Sequence, residues 1–442
     1  MADLSEAQSS QSIKIVGASG TGVEDNNYAH VTSDNKLKVE ASFGVNTNSG
    51  NQDFLSRLRV SQLDILQAWY FASTDHATQF NTSSSGGGTT TFNSNLASKR
   101  LTVGTTNGDN IIVQGKRYLR YTPGRSHLVH ISGIVGAKKT NVRQRWGFFD
   151  ANDGFFFEQT GTDLNVVVRS STSGSPVDDV ISQSSWNLDP LDGTGPSGLT
   201  LDTSKHNLYI MDFIWHGAGG VRFGVILDNN TIVYAHIYAG SNIRAAPWIR
   251  TPNNPIRVEL TNTGTSASTT NLDFICTVVQ KESTDPLFVP YKFSASRGTS
   301  AASVNTSGRA VLSIRPKTSF NSLTNRVPIL PTLVQVMTSS DDLYCQIFLN
   351  ATLTGASFTS VNANSATEFD TAATTVTGGT LLYEFYVPSS NKSSETFSQK
   401  LEQIVLGLNI AGTTADIFTI RATSLGGGNI STFAAMNWEE YQ

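Results

Sequence analysis

Residues 208–238 constrain the fold more than any other stretch of the chain. They read Leu208-Tyr-Ile-Met-Asp-Phe-Ile-Trp215, a glycine-rich break at 217–220, Val221-Arg-Phe-Gly-Val-Ile-Leu227, a break at Asp228-Asn-Asn230, and then Ile232-Val-Tyr-Ala-His-Ile-Tyr238. Apolar, β-branched and aromatic runs of this length, cut by Gly and Asp-Asn, are the pattern of consecutive antiparallel strands. In the first run Tyr209, Met211, Phe213 and Trp215 share one face; Leu208, Ile210 and Ile214 share the other with Asp212. Apolar on both sides, that strand belongs inside a sandwich. In the second run Val221, Phe223, Val225 and Leu227 share a face, while Arg222, Gly224 and Asp228 take the opposite one, which is expected to be wet.

A chain of 442 residues exceeds what one core serves, so two or three domains are expected. Only 15% of residues are charged, and Ser, Thr, Asn and 37 Gly fill the gap, a composition suited to sheets joined by short turns. The fold expected is all-β: tandem antiparallel β-sandwich domains, jelly-roll-like, preceded by an extended N-terminal arm. A formal net charge of −4 and the lack of a basic stripe argue against nucleic-acid binding. No run of about eighteen apolar residues argues for membrane insertion, and no leader pattern follows Met1, so synthesis in a cytosol is expected. Cys276 and Cys345, each inside an apolar run, read as two buried thiols of a reduced compartment.

Along the chain, residues 1–52 read as an attachment arm with a strand at 13–16 and a hairpin at 29–39, too poor in large apolar side chains to fold alone. Residues 53–115 read as a connecting segment; the apolar spacing at 54–71 fits neither helix nor strand throughout, and 81–95, with its Gly86-Gly-Gly88 triplet, reads as a surface loop. Dense strand signals then mark a central sandwich at 116–283. Residues 284–442 read as a linker, marked by Pro286, Pro290 and a Ser/Thr/Gly-rich stretch at 294–308, followed by a second sandwich in which 404–410 alternates as a strand.

The candidate chemistry is sparse. The glycines at 17–22 lack the spacing of a phosphate loop and read as a turn. Asp150, Asn152, Asp153, Gly154 and Glu158 are similar to part of a calcium loop, but Asp153 and Gly154 arrive one position early, so a hairpin turn is expected, with a β-loop calcium site as the alternative. His127 and His130 would point to opposite faces of one strand and cannot share a metal. No local signature of nucleophilic catalysis is present. The carboxylate pairs Asp178-Asp179, Asp189 with Asp192, Asp341-Asp342 and Glu439-Glu440 sit at turns or ends and read as solvated surface. Trp146 and Trp215 read as core; Trp186 and Trp248, in loop-like contexts next to prolines, are the two candidate ligand contacts. No catalytic residue, cofactor site or metal site is assigned.

Several strings bear a resemblance. Lys116-Arg-Tyr-Leu-Arg-Tyr-Thr-Pro-Gly-Arg125, Asn141-Val-Arg-Gln-Arg-Trp-Gly-Phe-Phe-Asp-Ala-Asn-Asp-Gly154, Ser184-Ser-Trp-Asn-Leu-Asp-Pro-Leu-Asp-Gly-Thr-Gly-Pro-Ser-Gly198 and Thr251-Pro-Asn-Asn-Pro255 resemble virion structural proteins of tailed bacteriophages. In the C-terminal half Leu312-Ser-Ile-Arg-Pro-Lys317, Phe320-Asn-Ser-Leu-Thr-Asn-Arg326 and Leu353-Thr-Gly-Ala-Ser357 are similar to the same group. The resemblance spans roughly residues 54–442 and brings no catalytic motif. It implies a non-enzymatic virion component, assembled in the host cytoplasm and bound to capsid, neck or tail proteins. Exposed polar sheets imply a homo-oligomer, and analogy with phage appendages makes it a trimer. The alternatives are a module that binds a host surface glycan and, with less support, a polysaccharide-degrading tailspike.

Overall fold

The 208–238 stretch folds as three antiparallel strands, with Tyr209 opposite Val225 and Phe223 opposite His236. The computed structural model describes residues 52–59, 62–227, 231–282, 289–389, 393–396 and 404–442. The expected arm, its strand and hairpin and the 17–22 turn lie outside the described residues, except for Gln52. Met1–Thr47 forms one unit and Asn48–Gln442 another, and the second is the body described below.

With strands numbered along the chain, one sheet runs β13 (Ile232–Ala239), β12 (Gly220–Ile226), β11 (Asn207–Ile214), β6 (His127–Ile134), β15 (Thr270–Glu282), β4 (Ser98–Val103), β3 (Thr89–Asn93). β1 (Leu63–Tyr70) also pairs with β15. The facing sheet runs β10 (Val177–Ser182), β9 (Asp163–Ser170), β8 (Gly154–Gly161), β7 (Lys139–Phe149), β14 (Ile256–Asn262), β5 (Asn110–Gly115), β2 (Phe80–Ser85). Sheet neighbours far apart in sequence, β6 beside β15 and β7 beside β14, give the crossed connectivity of a jelly roll. Rings from both sheets interlock in the core: Trp146 on Tyr209 at 5.0 Å, Phe155 on Phe213 at 4.9 Å and Phe157 on Phe223 at 5.3 Å. Aromatic contacts of this kind add about 0.5–1.5 kcal/mol each beyond the area they bury.

The second sandwich pairs a sheet of β16 (Tyr291–Ser296), β30 (Ile430–Glu440), β21 (Ile329–Thr338) and β28 (Ser393–Thr396), with β17 (Ala302–Val304) also on β30. Its other sheet runs β24 (Thr359–Ser360), β25 (Thr367–Asp370), β18 (Arg309–Pro316), β29 (Phe418–Ser424), β22 (Leu343–Leu349), β27 (Thr380–Val387). Two ribbons complete it: β19 (Ser319–Phe320) with β20 (Leu323–Thr324), and β23 (Thr352–Thr354) with β26 (Thr375–Thr377). Leu312, Ile314, Val334, Ile347, Ile420, Met436 and Trp438 fill its separate core. The chain is all-β, with one 3-10 turn at Gln183–Ser185 and no α-helix among the described residues.

Four sequence expectations change. Residues 63–115 do not merely connect: β1 to β5 belong to the two sheets of the first sandwich. The 81–95 stretch is a corner where the chain leaves one sheet at β2 and joins the other at β3. The glycine triplet makes that corner, because a Cβ on Gly88 would lie 2.0 Å from the Asn110 carbonyl oxygen, and buried Asp109 accepts the Gly87 N–H at 2.7 Å. The supposed linker at 294–308 carries strand residues of β16 and β17. Residues 404–410 hold only isolated bridges, Leu406 to Ile329 and Leu408 to Ala415.

The expected wet face of β12 is also covered. Arg222 is 2% exposed and Asp212, beside it in register, is fully buried. The segment at 52–59 lies over them: Arg222 donates to the Gln52 carbonyl at 2.7 Å, and Arg59 pairs with Asp212 at 2.7 Å. Ser126 and Arg222 also donate to Asp212. A carboxylate in so dry a place is stable only because every side of it meets a donor.

A candidate binding cleft between the two sandwiches

The turn from β7 to β8 is built by its own aspartates. Asp150 accepts the backbone N–H groups of Asn152 at 2.7 Å and Asp153 at 2.9 Å, and Gly154 takes φ 129 to leave the turn. Tyr118 donates its hydroxyl to the other Asp150 oxygen at 3.0 Å, and burial pushes that phenol's pKa up. Asp153, fully buried, accepts from the Ser171 hydroxyl at 2.6 Å, the Ser171 N–H at 3.1 Å and the Arg250 N–H at 2.9 Å, and pairs with the Arg250 guanidinium at 3.2 Å. These carboxylates brace loops. Their oxygens already meet donors, so the calcium-like string acts here as a hairpin turn, and no metal-ligating cluster occurs among the described residues.

Across from this turn stands the β19–β20 ribbon. Its two-residue loop, Asn321 and Ser322, has φ 51 and 64, the double positive φ of a tight hairpin turn. Asn325 anchors its base by donating to the carbonyls of Lys317 and Ala366, each at 2.9 Å. Arg326, held on its own side by the carbonyls of Asn409 and Ile410, then reaches over the boundary and lays its guanidinium 4.9 Å from the Tyr118 ring centroid. Lys116 to Asp416 at 3.5 Å and Asn81 to the Leu408 carbonyl at 3.2 Å tie the sandwiches on the same side.

Between these walls lies a cleft of about 580 Å³. Asn152, Arg250, Asn253, Phe320, Asn321 and Ser322 are among its lining residues. Its charged groups are engaged inside the walls: Arg250 pairs with Asp153, Asp150 accepts from Tyr118 and backbone N–H groups, and Arg326 donates to two carbonyls. Amides and hydroxyls remain. Asn253 accepts the Tyr121 N–H through its oxygen at 2.9 Å, and among the described residues nothing takes its NH₂ group.

Neither candidate tryptophan contributes. Trp248 is 1% exposed, packed on Phe155 at 5.7 Å, and donates to the Trp215 carbonyl at 3.2 Å. Trp186 is 5% exposed, edge-on to Phe157 at 6.5 Å, and donates to the Ile181 carbonyl at 3.2 Å. The stretch after Trp186 is bonded to the edge strand β13, through the Ala235 and Ile237 carbonyls, and Trp248 to the Trp215 and Gly217 carbonyls, so a loop tryptophan becomes core. Trp146 is core as expected, and Trp215 is partly buried against it.

His127 and His130 do face opposite sides of β6. His127 packs on Tyr121 and Phe213, while His130 lies on the outer side near Arg59 and Asp212. Among the carboxylate pairs the solvated reading fails for two members: Asp189 is 2% exposed, and Glu440 is fully buried, accepting from Ser365, Ala366, Thr367 and Trp438. Cys345 is buried and its thiol is pushed up to about 12 by burial; Cys276 is only half-buried.

A second arrangement, on the outer face of the seven-stranded sheet, had no local sequence signal. Register sets Glu158, Arg145 and Glu259 side by side on β8, β7 and β14. Arg145 bonds Glu158 at 2.6 Å and lies 3.6 Å from Glu259, which Arg257 meets at 2.5 Å. Burial alone would raise the Glu259 pKa, but Arg257 and Arg145 outweigh it and hold the carboxyl below its usual range. Phe149 and Phe156 lie 4.2 Å apart beneath the same guanidinium groups. The geometry stores charge in ion pairs, whereas a proton-donating carboxyl needs its pKa raised.

No family model and no curated protein matches the chain. Solved structures overlap about half of it. A protein of unknown function from Shewanella oneidensis is 10% identical with a TM-score of 0.33, covering 53% of this chain and 92% of that one. A legume lectin-like domain from Entamoeba histolytica is 10% identical with a TM-score of 0.30, covering 50% and 98%. A glycosyl hydrolase family 16 protein from Mycobacterium smegmatis is 10% identical with a TM-score of 0.32, covering 49% and 100%.

Proposed function

We propose that this chain is a non-enzymatic structural component of a tailed-phage virion, attached by its N-terminal arm and projecting from, or reinforcing, the head, neck or tail. One observation carries the reading. Of the seven strings that resemble virion proteins, four, at 116–125, 141–154, 251–255 and 320–326, supply residues to the walls of one cleft between the sandwiches. They are distant in sequence and meet at a joint. A mechanical part needs its modules held in fixed relation, and the contacts of Arg326 on Tyr118 and Lys116 on Asp416 serve that end. The reading includes a homo-oligomer, a trimer by analogy, bound to capsid, neck or tail proteins.

Electron microscopy of particles labelled with antibody against residues 116–283 tests it. Label at one fixed place is expected, and its position names head, neck or tail. Unlabelled particles beside abundant soluble protein would remove the reading.

A second reading is favoured by the cleft itself: a module that binds a host surface glycan. At about 580 Å³ it falls within the range of roughly 300–1,000 Å³ typical of small-ligand sites. Adsorption of the purified chain to host cells, competed by their isolated surface polysaccharide, is the expected result; no adsorption at micromolar protein rules it out.

A further inference from the structure

Resting on the second reading, we infer that the cleft between the sandwiches is a subsite for an uncharged oligosaccharide. Phe320 offers the stacking surface, and the amides of Asn253 and Asn321 read hydroxyl groups.

The first argument is what the walls have left to offer. Arg250 is fixed by Asp153 and Ser171, Asp150 by Tyr118 and its own turn, and Arg326 by two carbonyls and the Tyr118 ring. An ionic ligand would meet groups already engaged. The side chains of Asn152, Asn321 and Ser322 and the NH₂ of Asn253 take part in no hydrogen bond among the described residues. Several amides and a hydroxyl set around one ring match a sugar, which has an apolar C–H face and a rim of donors and acceptors.

The second argument is backbone strain at the same place. Asn tolerates left-handed φ, but Ser322 at φ 64 is held in a backbone conformation that L side chains rarely adopt and a glycine would take freely. Asn-Gly would close this two-residue hairpin without that strain. The strained pair lines the cleft beside Phe320, whose ring is half-buried with the Lys317 ammonium 5.9 Å from its centroid.

The third argument is assembly. Asn253 belongs to the first sandwich and Phe320 to the second, so the subsite is complete only while the Arg326–Tyr118 joint holds. Either sandwich alone would lack one wall.

The test uses the full chain, titrated by saturation-transfer NMR with maltohexaose, cellohexaose, isomaltohexaose and trigalacturonate. Variants Phe320→Ala, Asn253→Ala and Asn321→Gly are titrated in parallel; the last keeps the left-handed turn at no steric cost, so it removes the amide without endangering the fold. The expected result is binding of at least one uncharged hexasaccharide, weakened about tenfold or more by each variant. Equal binding by wild type and variants overturns the site but leaves the glycan reading standing. Binding of trigalacturonate alone overturns the uncharged assignment. Binding of none of the four at about 10 mM overturns the inference, and adsorption to host cells then judges the glycan reading separately.

Discussion

Arg326 lays its guanidinium over the ring of Tyr118, 4.9 Å from the centroid, across the boundary between two sandwiches that have separate cores. Tyr118 in turn holds Asp150, and Arg326 also holds the Asn409 and Ile410 carbonyls, so one side chain links the β7–β8 turn to the far side of the joint.

Removing that link should uncouple the sandwiches. Arg326→Ala loses a cation–π contact of about 0.5–2 kcal/mol and two charge-assisted hydrogen bonds of roughly 1.5 kcal/mol or more each. Calorimetry of the wild type is expected to show one coupled transition for residues 48–442, and of the variant two resolved transitions. A variant that still melts as one unit at an unchanged temperature would show that the joint is held elsewhere.

The covering of β12 by the segment at 52–59 makes a second prediction. Asp212→Asn leaves Arg59 and Arg222 without their shared counter-charge, a change that costs about 3–5 kcal/mol when buried. Arg59→Gln is gentler: the sheet stays folded while the covering segment lifts. Hydrogen exchange should show amides at 52–59 losing protection in Arg59→Gln, with those of β11 and β12 unchanged. Equal protection in variant and wild type would mean that Arg59 is not the fastener.

Sequence pattern reached the body of this fold but not its joints. The strand β11 was legible because both of its faces are apolar, a signal carried in eight consecutive residues. Its partner strand was legible on the core side only. Whether Arg222 is wet depends on Gln52 and Arg59, well over a hundred residues upstream, and no local period encodes that contact. Trp186 and Trp248 misled for a related reason. Prolines and glycines around them truthfully marked loops, but a loop bonded back onto a sandwich buries its aromatics as thoroughly as a strand does. The cleft draws on six separated stretches without common periodicity; four of them carry the resemblance, and the only other sequence signal near it, the calcium-like string at 150–158, pointed to a turn.

The tryptophans therefore give a prediction opposite to that of a surface ligand contact. Trp248→Ala and Trp186→Ala each empty a large volume in the first core, and each should cost about 3–5 kcal/mol. Urea denaturation followed by fluorescence checks this. A variant within about 0.5 kcal/mol of the wild type would return that tryptophan to the surface.

Acid should weaken the fold through its buried histidines. Burial holds His127 at about 3, with the Lys281 charge adding to it, and burial with the Arg59 charge holds His130 at about 4; His236 is likewise depressed to about 4 by burial. In the unfolded chain an imidazole takes up its proton near pH 6.5. Between these values the unfolded state binds more protons than the folded one, so this stabilisation is fully present above pH 6.5 and is lost as pH falls toward the folded values. For His127, the most buried, the loss approaches about 1.4 kcal/mol per pH unit once pH is below 6.5. Glu259, whose pKa is lowered, withdraws its contribution only below its ordinary value of 4.5, and Glu282, raised by burial, changes in the opposite sense, so the histidine contribution between pH 7.5 and 5 is read as the difference from a variant that lacks one of them. Urea midpoints across that window should fall in the wild type. In His127→Gln, which keeps a polar side chain but cannot titrate, the fall should shrink by about 1–2 kcal/mol. An identical fall in both proteins would mean that His127 binds its proton as readily folded as unfolded, and that its contacts with Tyr121 and Phe213 do not exclude water from the ring.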